Sequence, residues 1–167
     1  MTAARTDRWV PYPRFSVVLA LLWMLLNNTL DPGHILLGVV LGCALPLLMR
    51  NILPPLPVVR RPGKALAFVL LVLGDIVVAN LRVARLVLGP VSSLRPRLVT
   101  IPLDIADPVV ASILAGTVTL TPGTISVDLD LQARRLVVHA LDATSDAAII
   151  DEVKTRYEAR LREIFGC

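Results

Sequence analysis

Asp128, Asp130 and His139 stand close together in the last third of a 167-residue chain. Two carboxylates and an imidazole are the raw material of general acid–base chemistry. Asp128 and Asp130 alternate with Val127 and Leu129, so both fall on the face of a strand turned away from the core. No nucleophile or metal-ligand set joins them, and a solvated strand face accounts for them more simply. His139, between Val138 and Ala140, reads as a structural strand histidine. Just upstream, Thr121-Pro122-Gly123-Thr124 offers the Gly123 and Thr124 amides as an anion cradle. The polarity is wrong for that use. Phosphate-binding loops lead from a strand into a helix N-terminus, whereas this stretch leads from the negative end of a helix into a strand. It reads as a helix stop and strand entry: Pro122 cannot continue a helix and Gly123 frees the backbone.

Asp75 is the remaining chemical candidate. It interrupts an apolar run, Ala65 to Leu81, together with Gly74 and Asn80. A carboxylate there costs about 2.5–3.5 kcal/mol on insertion scales, so it faces protein or water. One use is a proton or cation relay. The other is a polar anchor, paired with Arg82 two turns along its own helix or with a partner subunit. A single acid is thin material for a transport path, which favours the anchor. Asn27, Asn28 and Asp31 cluster in a turn and read as caps rather than ion ligands. No Walker motif, GxGxxG or HExxH occurs. Cys43, in an apolar run, and Cys167, at the end, form neither a disulfide framework nor a metal-spaced pair. The sequence calls for no cofactor and no metal.

The elements that position these residues lie in two solvents. The chain is 55% hydrophobic with a mean hydropathy of +0.72, too apolar for a typical soluble domain. Residues 1–97 hold 11 basic and 3 acidic residues, and residues 98–167 hold 6 and 10. The basic apolar half is read as membrane and the mildly acidic half as soluble. The basic charge is not interleaved with aromatics, so nucleic acid is not the partner indicated. Residues 1–14 form a polar N-terminal segment. Residues 15–90 form the membrane region, with apolar segments at about 15–29, 33–49 and 65–88. The first two are short and joined by "NNTLDPG", which predicts a helical hairpin that spans thinly or enters and returns. A cleavable signal peptide fits poorly, since a second apolar run follows at once. "RNILPPLPVVRRPGK", Arg50 to Lys64, reads as a stiff basic loop without helix, suited to anionic headgroups. The third run is the most convincing span.

After a linker, 91–97, the pattern becomes that of a soluble α/β domain, 98–167. Val99, Ile101, Leu103 and Ile105 alternate as a strand. Asp107-Pro108 starts a helix that runs to about Thr119. Ile125 to Leu129 and Leu136 to Leu141 give two more strands. Thr144 or Ser145 caps a final helix with an inward stripe of Ile149, Ile150, Val153, Tyr157, Leu161 and Ile164. Glu152–Arg156, Lys154–Glu158 and Glu158–Arg162 are spaced as pairs on its outer face. The fold class is α+β: transmembrane helices, a short hairpin plus one longer helix, followed by a small β-α-β-β-α domain.

"LTPGTISVDLD", with the strand ending "VHALD", resembles the family of E subunits of the multisubunit Mrp/Mnh-type cation/proton antiporters. The residues that carry the likeness are Leu120, Thr121, Pro122, Gly123, Thr124, Ser126, Asp128, His139 and Asp142. "DIVVANLRVARLVLGP", Asp75 to Pro90, is similar to that family's third apolar segment, with its acid, its Ala79-Asn80 pair and its closing proline. The resemblance implies an accessory subunit of a sodium/proton antiporter in the bacterial cell membrane. It implies partners among the other subunits and the lipid, and a role in assembly and stability rather than in the main ion path. It also implies a cytoplasmic C-terminal domain. Positive-inside counting places 1–14 and 50–64 in the cytoplasm, so three full spans would put that domain outside. The count is then expected to break at the hairpin or the N-terminus. Two other classes stay open: a stand-alone membrane-anchored module that recognises a protein, and a membrane-bound enzyme built on Asp128, Asp130 and His139.

Overall fold

A computed structural model describes residues 13–49, 56–90 and 94–167. Most of the polar N-terminal segment, the first part of the basic loop and part of the linker therefore lie outside the described residues. The chain divides into two compact units, 1–55 and 56–167. The division falls before the third apolar run, which groups that run with the sheet domain.

The first unit is the hairpin of α1 (Pro13–Asn27) and α2 (Pro32–Leu48). Its turn is closed by capping groups. Asn28 takes a φ of +47°, and the Asp31 carboxylate accepts from the Gly33 amide at 2.8 Å. Gly38, Gly42 and Pro46 recur every four residues on α2 and are buried. A Cβ at Gly42 would lie 2.5 Å from the Ser16 carbonyl oxygen, so the two backbones meet where only glycine fits. At 1.5 Å per residue these helices are about 22–26 Å long, short of a hydrocarbon core of about 30 Å.

The second unit starts from α3 (Pro62–Val87), which is long and apolar enough to cross a membrane. Pro62, Gly63 and Lys64 belong to this helix, not to a helix-free loop as the sequence suggested. Proline is tolerated there because the first-turn N–H has no intrahelical partner. β1 (Arg97–Pro102), α4 (Pro108–Leu120), β2 (Thr124–Asp130) and β3 (Arg135–Ala140) follow. The last helix is continuous but not uniform: α5 (Asp146–Asp151), a π-helical stretch (Glu152–Glu158) and α6 (Ala159–Phe165). Ser145 is its N-cap, accepting from the Ala148 amide at 3.2 Å.

The sheet is antiparallel throughout, in the order β1-β3-β2. One face carries the core. Val99, Ile101, Leu136, Val138 and Ala140 of the sheet meet Val110, Leu114 and Val118 of α4 and Val153, Tyr157, Leu161 and Ile164 of the last helix. The strand predicted to reach Ile105 stops at Pro102, because proline has no N–H for the ladder. Leu103 and Ile105 remain buried, held by other acceptors. The Leu103 amide donates to the Arg134 carbonyl at 2.8 Å and the Ile105 amide to Glu158 at 3.1 Å.

β2 departs from simple alternation. Its register to β3 shifts between Ser126 and Asp128, a bulge at Val127. Ile125 and Val127 are exposed, while Ser126 turns inward and donates its hydroxyl to the Ala115 carbonyl at 2.8 Å. Past the bulge, Leu129 packs against the core and Asp128 is exposed. The extra residue resets which face each side chain takes.

Candidate functional site

The last helix supplies the partners that sequence spacing could not give. Within its π-helical stretch Tyr157 and Glu158, adjacent in sequence, are both buried. A π turn adds a residue to the helical turn and turns neighbouring side chains to unusual directions. Tyr157 points at α3. It packs edge-on to Phe68, with ring centroids 6.4 Å apart, and its hydroxyl donates to Asp75 Oδ2 at 3.1 Å. Burial raises the phenol above its ordinary pKa. Arg156 Nε donates to the same Asp75 oxygen at 2.8 Å, and Arg156 Nη2 bonds Oδ1. Asp75 is therefore held by a two-pronged guanidinium contact from the C-terminal helix, not by Arg82. Asn80 donates to its own helix at the Ile76 carbonyl, 2.9 Å.

Glu158 points the other way and is only 1% exposed. Its Oε1 accepts from the Asp104 amide at 2.6 Å and the Ile105 amide at 3.1 Å, and Lys154 stands 2.9 Å from Oε2. Glu158 thus sits inside the fold, not on the outer face as its spacing suggested. Arg162 turns to Asp104 at 3.6 Å instead of pairing with it. Nothing in the sequence separates this glutamate from its exposed neighbours, because the reading assumed 3.6 residues per turn throughout.

The Thr-Pro-Gly-Thr turn closes the far end of the same region. Thr124 Oγ1 donates to the Val118 and Thr121 carbonyls at 2.7 and 2.9 Å, covering two acceptors at the end of α4. Thr121 Oγ1 donates to the Thr117 carbonyl at 3.2 Å. Gly123 has a φ of +93°, and its carbonyl accepts from the Leu141 amide at 2.8 Å. A Cβ on Gly123 would approach Val83 of α3 at 3.2 Å.

Asp75, Arg82, Thr121, Pro122, Gly123 and Thr124 therefore gather around one cleft between α3 and the sheet domain, of about 580 Å³. Asp142 stands on its rim, and the Arg95 guanidinium 3.1 Å away holds its carboxyl below the usual range. Asp128 and His139 lie elsewhere. Both pair with neighbours on the open face of the sheet, His139 between Leu98 and Ile125, Asp128 opposite Val137. Asp130 is used locally, accepting from the Gln132 and Ala133 amides and meeting Arg135 at 3.3 Å. Among the described residues no three His, Cys, Asp or Glu side chains converge as a metal set.

A family described as "Na+/H+ ion antiporter subunit" matches residues 16–164. This chain belongs to the E subunits of the Mrp/Mnh-type antiporters. Among its relatives is the E subunit of a probable K(+)/H(+) antiporter of Rhizobium meliloti (strain 1021). That protein is 34% identical over 94% of this chain and 98% of its own. The E subunit of the Na(+)/H(+) antiporter of Alkalihalophilus pseudofirmus is 26% identical over 89% and 94%. Among solved structures, a chain of the membrane-bound sulfane sulfur reductase, an archaeal respiratory membrane complex, superimposes with a TM-score of 0.67. It is 28% identical and covers 92% of this chain and 98% of its own.

Proposed function

We propose that this chain is an accessory membrane component of a multisubunit cation/proton antiporter. It supports assembly and stability, and larger subunits carry the main ion path. The observation that carries the reading is the state of Asp75. Both of its oxygens are engaged by Arg156 and Tyr157 of the same chain. A carboxylate fastened in this way holds two elements together and is poorly placed to exchange ions. The hydroxyls of Thr121 and Thr124 are likewise spent on helix-end carbonyls. The protein is not an enzyme in this reading. Its partners are the other antiporter subunits and the surrounding lipid, with the C-terminal domain in the cytoplasm. The relatives' names divide between sodium and potassium. Sodium is the cation proposed here, and its selection belongs to the path-bearing subunits.

The test is purification of the C-terminally tagged chain in mild detergent. Several membrane subunits are expected to come with it. Deletion of the chain should lower the yield of assembled complex while exchange per remaining complex persists. A tagged chain that purifies alone, or a full yield of complex without exchange, would reject the proposal.

A further inference from the structure

The segment before α3 and the end of the last helix meet from opposite ends of the second unit. The Arg60 and Arg61 amides both donate to the Ile164 carbonyl, at 2.9 and 3.3 Å. Lys64 Nζ donates to Glu163 Oε2 at 2.5 Å, across 99 residues of chain. Gly166, at φ +74°, lets the Arg60 side chain pass over it: an added Cβ would stand 2.7 Å from Arg60 Cδ. The contacts enclose an open hollow of about 450 Å³, lined chiefly by Arg60, Arg61, Arg162, Glu163 and Gly166.

The charge around this hollow is one-sided. Arg60, Arg61, Lys64, Arg160 and Arg162 surround a single carboxylate, Glu163. The Lys64 ammonium, with Arg61 and Arg160 beyond it, holds that carboxyl below the usual range. Arg162 has distant partners, the Cys167 carbonyl at 3.3 Å and the Asp104 carboxylate at 3.6 Å. Arg60 and Arg61 pair with no carboxylate among the described residues, and the first turn of α3 carries no acid. Arg160 and Arg162 suit the negative end of their own helix. Arg60 and Arg61 come from another element and exceed that need. Unpaired charges of one sign, held close by the fold, attract an anion.

The donors are mostly guanidinium groups, whose planar forks match the oxygens of a phosphate. The rim is apolar. Leu56, Val58 and Val59 precede the arginines and Leu66 follows them, all exposed. A free phosphate has no use for such a rim, whereas a phosphate that carries acyl chains covers it. The charge of residues 50–64 alone suggested headgroups. The fold adds arginines from the far end of the chain and turns a basic loop into a defined site.

We propose that the hollow between the Arg60–Lys64 segment and the end of the last helix binds one anionic phospholipid, with Arg60, Arg61 and Arg162 on its phosphate and Leu56, Val58, Val59 and Leu66 against its acyl chains. The bound phosphate then ties the start of α3 to the last helix, a second fastening besides the one at Asp75. The site belongs to this chain alone and does not depend on which complex the chain joins.

The test uses the full chain with whatever subunits co-purify, in phosphatidylcholine discs holding a trace of photoreactive phosphatidylglycerol. After illumination, label on this chain is measured per molecule and mapped to peptides. Label is expected on the peptides that hold 56–66 and 159–167, and unlabelled phosphatidylglycerol should displace it. Photoreactive phosphatidylcholine at the same level should not mark these peptides above the rest of the chain. The Arg61 side chain makes no ion pair in the fold, so Arg61→Gln should leave the chain intact. It should lower the label about fivefold, and Arg61→Gln with Arg162→Gln about twenty-fivefold. Arg61→Lys should keep most of it, and Arg85→Gln, outside the hollow, should keep all. Equal marking by both lipids, undiminished label in the glutamine variants, or an equal loss with Arg85→Gln would overturn the proposal. Displacement by inorganic phosphate as readily as by phosphatidylglycerol would mean a free-phosphate site and would reject the lipid.

Discussion

Gly123 combines two demands, a backbone at φ +93° and a close approach to Val83. Gly123→Val meets both badly. We expect it to cost about 1–3 kcal/mol in backbone strain alone, before any clash with α3. Its accumulation in membranes should fall accordingly. Normal accumulation with lost transport would point to a chemical role for the turn. Asp75 gives a second test. Asp75→Asn keeps the shape and one acceptor but loses the charge-assisted contact to Arg156. Because the Arg156 side chain is 44% exposed, the loss is expected to be only about 1 kcal/mol. Exchange per assembled complex should survive, and Asp75→Leu should lower complex yield. In a double-mutant cycle, Asp75→Asn and Arg156→Gln should be non-additive by about 0.5 kcal/mol or more. Full assembly with Asp75→Asn but almost no exchange would place this acid in the conduction path. The sequence singled out Asp75 because an acid in an apolar run is costly. It could not supply the partner, since 81 residues separate Asp75 from Arg156 and no local rule spans that distance.

Among the elements, the best read were those with one period throughout. α4 begins and ends where Asp107-Pro108 and Thr-Pro-Gly say it should, with the Asp107 carboxylate accepting from the Val109 and Val110 amides at 2.9 and 3.1 Å. The failures came where a period breaks. The bulge in β2 and the π turn in the last helix each insert a residue, and neither leaves a compositional mark. The π turn is what brings Glu158 to the Asp104–Ile105 segment. Removing its acceptor with Glu158→Ala leaves two backbone amides and Lys154 without it, at an expected cost of about 3 kcal/mol in the unfolding free energy of the detergent-solubilised chain. Asp104, on the same segment, has its carboxyl held below the usual range, chiefly by the hydrogen bond from Lys154. A lowered folded pKa stabilises above the unfolded value and the gain is lost as pH falls through the folded one. Wild type should therefore lose stability below about pH 4 more steeply than Asp104→Asn. Identical acid limbs would show that the pair contributes nothing.

At the scale of the whole chain, the split of charge and hydropathy marked the change of solvent, and α3 has the length and apolarity of a membrane-crossing helix. Composition gave α3 to the membrane because its apolar residues nearly encircle it. Only packing reveals that one side of that ring belongs to a protein core. With the C-terminal domain in the cytoplasm, as proposed above, Cys167 should be shielded from an impermeant thiol reagent in intact cells and react once the membrane is opened. Labelling in intact cells would overturn the cytoplasmic placement of the domain. The order of synthesis gives the arrangement a further consequence. A ribosome finishes α3 long before it reaches Arg156 and Tyr157, so the helix emerges without its partner. During that interval it is a 26-residue apolar stretch that the insertion machinery has every compositional reason to push through the bilayer. Only when the last helix is made can Arg156 and Tyr157 take hold of Asp75. Asp75→Leu makes that stretch more apolar still and removes the contact that Arg156 and Tyr157 would later make. A fraction of the new chains should then fail to seat α3 against the finished domain, seen as a lower yield of assembled complex.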